Sequence, residues 1–270
     1  EYQGLIGLDM RTTKNKKLLP NVVTGTRLVD TDSNLASDNL SDQMYITTEN
    51  KLIYRKTFAE LHKLILSGVF QTNEGRNASY ASGSSGTPSS SLADPTGGAI
   101  VAGIGSGTSL SRKLGFIANA NYTFNEKYII SGGYRQAASS SMGKNTRWGG
   151  FPTVGAAWHF GEEGVVKNFE WLSSGKLRFS WGQSGNAPSG SHPYIGTFKA
   201  LDEDYMNMPA IEPTTIQLDN LKWETITQSN IGVDLEFIQS RLRITAEVYS
   251  KVTTDMLQED VVLPSTTGYG

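Results

Sequence analysis

Period-two hydropathy along nearly the whole chain, a strict alternation of short and long connections, and aromatic residues gathered near both strand ends predict an all-β fold. That combination belongs to an antiparallel transmembrane β-barrel, whose tight turns lie at one end and whose long loops lie at the other. A soluble sandwich or propeller has no physical reason to keep that parity. About nine strands are expected, so residues 1–270 read as one partial barrel domain.

The first strand alternates Tyr2, Gly4, Ile6, Leu8 and Met10 with Gln3, Gly7 and Asp9. A weaker strand is expected near 45–55, followed by Leu64, Leu66, Gly68 and Phe70 against Lys63, Ser67 and Gln71. The clearest hairpin sets Leu114, Phe116, Ala118, Ala120, Tyr122 and Phe124 on one face and Gly115, Asn119, Asn121 and Thr123 on the other. Asn125-Glu126-Lys127 turns the chain, and Tyr128, Ile130, Gly132 and Tyr134 resume the apolar face. Later strands follow the same rule. Pro152, Val154, Ala156, Trp158 and Phe160 share a face, as do Leu177, Phe179 and Trp181. So do Ile231, Val233, Leu235 and Phe237, and then Leu242, Ile244, Ala246 and Val248.

Short turns are expected near 55–57, 125–127 and 239–240, with a moderate one over 161–175. Long polar loops are expected at 11–44, 72–111, 136–150 and 185–222. The stretch 72–111 is close to low complexity, as in Ala81-Ser82-Gly83-Ser84-Ser85-Gly86, and is expected to be mobile. Near the short turns sit Tyr54, Phe58, Tyr122, Phe124, Tyr128, Phe160, Phe169, Trp171 and Phe237. Near the long loops sit Tyr134, Trp148, Phe151, Trp181, Trp223 and Tyr249, so two interfacial aromatic bands are expected. Arg135, His159, Arg178, Asp234, Glu236, Arg243 and Glu247 fall on the opposite face, which suits a wet lumen better than a dry core.

Composition removes several classes of function. Cysteine is absent, so no disulfide, thiol nucleophile or cysteine metal site exists. Net charge is −2 with no basic stripe, which argues against nucleic acid. The three histidines, His62, His159 and His192, form no metal-binding pair, and no metal or cofactor is expected. Gly103-Ile104-Gly105-Ser106-Gly107-Thr108 lacks the Gly-Lys-Ser/Thr of a phosphate loop and reads as a plain loop. Gly182-Gln183-Ser184-Gly185 is not a nucleophile elbow, and Asp202-Glu203-Asp204 reads as a solvated acidic turn. No acid, base and nucleophile come together, so no enzyme is expected. Ligand contacts are expected from loop and mouth residues that offer rings and polar groups: Arg135, Arg147, Trp148, Tyr194 and Tyr205.

Two long segments resemble the SusC/RagA family of TonB-linked outer-membrane proteins. One runs Asn145-Thr146-Arg147-Trp148-Gly149-Gly150-Phe151-Pro152-Thr153-Val154-Gly155-Ala156-Ala157-Trp158 and continues through Leu177–Asn186. The other joins Leu221-Lys222-Trp223-Glu224-Thr225, Asn230–Asp234 and Leu263-Pro264-Ser265-Thr266-Thr267-Gly268-Tyr269, with the strand 241–255 between. The resemblance covers roughly the second half of the chain. It implies TonB-dependent import of oligosaccharides or peptides across the bacterial outer membrane, with a SusD-like lipoprotein at the extracellular face. About nine strands are too few for a barrel of roughly twenty-two, and no plug or TonB box is legible. The chain therefore reads as a piece of a longer barrel, reaching the TonB complex through a segment it lacks. The alternatives are a passive porin-like barrel and a soluble all-β binding module.

Overall fold

A computed structural model describes residues 1–20, 34–89, 91–164, 166, 169, 171–188, 190, 192–205 and 208–257, the side chains of 202–205 and 209 excepted. The Leu263–Tyr269 motif and residues 21–33 of the first expected loop lie outside the described residues. Among the described residues eleven strands follow in chain order: β1 (Tyr2–Leu19), β2 (Leu35–Phe58), β3 (His62–Ser85), β4 (Ile100–Phe124), β5 (Tyr128–Ser139), β6 (Trp148–Trp158), β7 (Leu172–Asn186), β8 (Phe198–Tyr205), β9 (Met208–Pro213), β10 (Glu224–Phe237) and β11 (Leu242–Thr254). Nine of them form one sheet in the order β1-β2-β3-β4-β5-β6-β7-β10-β11, and β8-β9 make a separate hairpin. Sequence neighbours are sheet neighbours throughout, except that the β8-β9 hairpin is inserted between β7 and β10. No helix among the described residues is long and apolar enough to cross a membrane.

Two compact units divide these strands. The first comprises Glu1–Leu5, Thr48–Thr72 and Lys113–Gly270. Its register from β4 to β11 is antiparallel, and each directly opposed pair shares a face. On one face the pairs run Tyr122↔Ile130↔Ala156↔Phe179↔Ile231↔Val248. This is the apolar set that the alternation in the sequence predicts. Rings line its short-turn end in sequence: Phe58 on His62 at 5.1 Å, His62 on Phe124 at 4.9 Å, Phe124 on Tyr128 at 6.2 Å, and Tyr128 on Trp158 at 6.5 Å. Trp171 stacks on Phe237 further along. A second row joins Phe70, Phe116 and Trp148. Phe124 and Phe116 are eight residues apart on β4, about 27 Å of strand and a little over 20 Å after the usual barrel tilt. That is comparable with the apolar height such barrels present to lipid, about 25 Å.

The turns carry the tight geometry. Asn125 and Glu126 have φ of 50° and 56°, and Ala59 and Glu60 have 49° and 55°, the left-handed pair that a twisted two-residue hairpin requires. The first turn thus lies at 59–61 and not at 55–57: Arg55 and Lys56 stay in β2, where Arg55 Nη1 meets the Glu1 carboxylate. The Lys63 ammonium bonds Glu126 in the turn and holds that carboxyl below its ordinary range. In the longer connection after β6, Glu163 accepts from the Tyr128 hydroxyl at 2.7 Å and from Trp158 Nε1 at 3.5 Å, with Lys127 at 3.6 Å. The Tyr128 hydrogen bond first, then those of its other neighbours, hold the Glu163 carboxyl below its usual value.

The second unit comprises Ile6–Thr47 and Asn73–Arg112. Here the structure overturns an expectation: most of 11–44 and 72–111 is strand, not loop. β3 runs to Ser85, and the Gly103–Thr108 segment lies inside β4. The reason is cross-strand polar pairing. The Thr12 hydroxyl donates to Asp42 at 2.8 Å, Ser41 to Asn77 at 3.2 Å and Thr47 to Asn73 at 2.9 Å. Lys16 reaches Asp38 and Asp94, and Arg112 reaches Glu74. Such cross-strand pairs of serine, threonine and asparagine each contribute about 0.2–1 kcal/mol to holding the strands in register.

Candidate functional site

The pleat that sends Phe179 and Ile231 to one side sends Arg135, Arg178, Asp234, Glu236, Arg243 and Glu247 to the other. This charged face of the first unit has two different halves.

On β7, β10 and β11 the charges saturate one another. Arg178 grips Asp234 with two bonds, Nε to Oδ2 at 2.7 Å and Nη2 to Oδ1 at 3.2 Å. Glu247 lies 3.9 Å from the same guanidinium, and the Thr245 hydroxyl donates to Asp234 at 3.1 Å. One step toward the turn, Glu236 accepts from Arg243 and from the Ser240 hydroxyl. A bidentate arginine–carboxylate pair fixes both partners in orientation and leaves little capacity for a third group.

On β4, β5 and β6 the same face carries only two charges among the described residues, both cations: Arg135, and Lys113 near the far end of the paired stretch, opposite Ser139. Arg135 stands between Ile117 on β4 and Phe151 on β6. The next positions on its face are Asn119, Gly133 and Thr153 on one side, and Gly115, Ala137 and Gly149 on the other. Arg135 is exposed and, among the described residues, makes no ion pair or hydrogen bond through its side chain. It lines a cavity of about 290 Å³ together with Asn119, Thr153, Phe151, Gln183 and Trp223. Phe151 is only 5% exposed, and the edge of Trp223 meets its ring at 5.6 Å. Gly185 permits this packing, since a Cβ there would fall 2.0 Å from the Phe151 ring. Deeper along the face, Asn119, Asn121, Ser131, Thr153, Gln228 and Asn230 line a second hollow of about 560 Å³.

The connection from β5 to β6 is fastened to the segment that carries Trp223. Its backbone is tied to the segment before β10: Gly143 N–H donates to Leu221 O at 2.9 Å, and the Thr146 hydroxyl donates to the same oxygen at 2.6 Å. Met142 is wholly buried, and a Cβ on Gly143 would fall 2.2 Å from the Asp219 carbonyl. Trp223 Nε1 donates to the Arg147 carbonyl at 3.2 Å, so the loop and the Trp223 ring are positioned together.

The ligand-binding residues expected from sequence do not form one cluster. Arg135 lines the cavity described above. Arg147 Nη2 donates to the Tyr194 hydroxyl at 3.4 Å, which brings those two together. Trp148 pairs with Ala138 on the apolar face and stacks on Phe116, which places it in the aromatic row. The backbone of Tyr205 opposes Met208 in the β8-β9 hairpin, and its side chain lies outside the described residues. The structure also moves three rings from the expected long-loop band, one of them Trp223, which lines the cavity against Phe151. Phe151, opposite Arg135, and Tyr249, opposite Asn230, point to the charged face because each follows the parity of its charged neighbours. Sequence reasoning passed over Phe151 and Trp223 as site residues, although the odd parity of Phe151 with Thr153 was the signal.

The family model described as TonB dependent receptor-like, beta-barrel, matches residues 8–270. The chain belongs to that family. TonB-dependent receptor P3 of Formosa agariphila is 25% identical over 263 residues, covering 95% of this chain and 26% of that protein. TonB-dependent receptor SusC of Bacteroides thetaiotaomicron is 28% identical over 163 residues, 58% of this chain and 16% of SusC. A solved structure of the RagAB peptide transporter superposes with a TM-score of 0.87 at 22% identity, covering 99% of this chain and 30% of that one. The receptor-family barrel is therefore the fold, and the chain spans about a quarter of the length of the P3 receptor.

Proposed function

We propose that the protein carrying this barrel wall imports large nutrients, oligosaccharides or peptides, across the bacterial outer membrane, driven through TonB and working with a SusD-like surface lipoprotein. The observation that carries the reading is the two-faced sheet of the first unit. Its apolar face lies between two rows of rings, and its other face is charged, amide and hydroxyl. In a barrel those faces meet lipid and a watery lumen. Arg135, Arg147 and Tyr194 lie on the ligand's path in this reading, Tyr205 belongs to the same extracellular region, and Trp148 anchors the interface. Phe198 and Ile211, 65% and 68% exposed in the β8-β9 hairpin, offer the lipoprotein an apolar contact.

The test is uptake of labelled oligosaccharide and peptide pools by host cells with and without the gene, each with and without a protonophore. Import requires uptake that vanishes on deletion and on collapse of the proton-motive force. Uptake that survives the protonophore but not the deletion supports a passive barrel instead, and uptake unaffected by deletion overturns both.

A further inference from the structure

Several features of the first unit compete for a further role. A groove of about 760 Å³ between Tyr54, Leu66, Ala118 and Tyr134 is apolar, but nothing beyond the lipid already expected at that face points to an occupant. The neutral hollow around Asn119 and Asn230 offers amides and hydroxyls without a feature that selects one ligand. The Arg135 cavity is different, because it pairs an unused cation with a defined, ring-walled space.

We infer that the Arg135 cavity recognises a carboxylate at the end of the imported ligand, an inference that rests on the import reading above. Three observations converge. First, the positions flanking Arg135 on β4, β5 and β6 are neutral and the other charge on that face of those strands is a cation, Lys113, so the guanidinium has no carboxylate partner there. Elsewhere on that face Arg178 and Arg243 are each occupied by an acidic neighbour. Second, the cavity of about 290 Å³ is too small for a chain of residues and suits a single end group. Third, its other walls supply what such an end group needs beyond charge: the Asn119 amide and Thr153 hydroxyl to share the polar atoms, and the Phe151 and Trp223 rings to cover the apolar part.

A planar guanidinium matches a carboxylate through two parallel bonds, and a lysine ammonium does not reproduce that fork. The chemistry recognised is the carboxylate itself, whether it ends a peptide or belongs to a terminal acidic sugar. A neutral oligosaccharide leaves the Arg135 charge unanswered, so the cavity discriminates against it.

The experiment uses the intact protein purified in detergent, with calorimetric titration of two probe pairs. One pair is a tripeptide as free acid and as C-terminal amide. The other is trigalacturonic acid and its methyl ester. The expected result is that at least one free acid binds about 10- to 100-fold more tightly than its neutral counterpart. R135Q abolishes that preference by weakening the free acid until it binds no better than its neutral counterpart, and R135K restores part of it. The pair that responds names the source of the carboxylate. A wild-type protein without preference in either pair, or a preference that survives in R135Q, overturns the inference. Heat-modifiable migration of R135Q on gels, equal to that of wild type, shows that the barrel is intact. A clear Arg135-dependent preference alongside uptake indifferent to the protonophore sinks TonB-driven import while the carboxylate site stands.

Discussion

Arg178 and Arg135 occupy the same face of the same sheet, two strands apart, and do opposite things. Arg178 is held by Asp234 through two bonds, with Glu247 close by, so its charge is spent on the wall itself. Among the described residues the positions flanking Arg135 are Ile117, Phe151 and small, hydroxyl or amide neighbours, so no carboxylate of these strands holds its charge. The difference lies in what the neighbouring strands present at the paired positions. β10 and β11 present Asp234 and Glu247, whereas β4 and β6 present none. One half of this face thus spends its charges on the wall itself, and under the carboxylate proposal the other half keeps one cation for a ligand.

The largest expected effect comes from removing the close packing that shapes the recognising half. Gly185→Leu drives a side chain into the Phe151 ring, where a Cβ already has only 2.0 Å. It is expected to cost about 1–3 kcal/mol in barrel stability, the usual penalty for overpacking, and to abolish carboxylate-dependent binding. A urea titration of the refolded barrel and the acid-versus-amide titration check the two halves of that expectation. Gly143→Val should act similarly through the loop, since its Cβ meets the Asp219 backbone at 2.2 Å, which cannot swing aside as a side chain can.

The comparison itself is sharpened by matched substitutions. Arg178→Gln leaves Asp234 and Glu247 facing each other on the sheet and should lower the unfolding midpoint, with Asp234→Asn relieving part of the loss in the double variant. Arg135→Gln should leave the midpoint within about 0.5 kcal/mol of wild type, as for a surface group with no partner. Equal midpoints for the two arginine variants would break the distinction.

Acid gives a smaller, local effect at the turn end. The Glu163 carboxyl is held below its ordinary value by Tyr128 and its other donors, so the tie it makes is complete above the unfolded value, about 4.3. It is lost as pH falls further, through the depressed folded value. Hydrogen exchange of the segment after Trp158 should rise in that window, and Glu163→Gln should remove the pH step. The smallest effect is at the last turn, where Ile238 adopts φ of 53°, an unfavourable conformation for a β-branched residue. Ile238→Gly is expected to gain about 0.5–1 kcal/mol, read as a higher thermal midpoint.

The faces of β5, β6, β7, β10 and β11 were legible in the sequence because period-two alternation is a one-strand property. Pro152, Val154, Ala156 and Trp158 announce a face without reference to any neighbour, and the register agrees. Beyond the alternation of Ile6, Leu8 and Met10 in β1, the second unit was not legible for the converse reason. Thr12 with Asp42, or Ser41 with Asn77, stabilise strand only once both partners are in register, and either strand alone has the composition of a loop. The β8-β9 insertion hid for another reason: its strands are short and their register shifts between Ala200 and Asp204, which breaks the period-two pattern. Arg135 stood out as an isolated cation near a strand end. The Phe151–Trp223 wall behind it depends on Gly185 and on a loop tied across roughly 75 residues by the Thr146–Leu221 bond, which no local pattern announces.

Site-directed labelling of the intact protein in its native membrane tests the two-faced wall most directly, helped by the absence of cysteine from this chain. Phe179→Cys and Ile231→Cys should react with a lipid-soluble maleimide and resist a membrane-impermeant one, while Ser180→Cys and Asn230→Cys should do the reverse. That reciprocal pattern places lipid against one face and water against the other. Equal labelling of both pairs by the impermeant reagent would contradict the account, because a sheet wetted on both faces is not a barrel wall in a membrane.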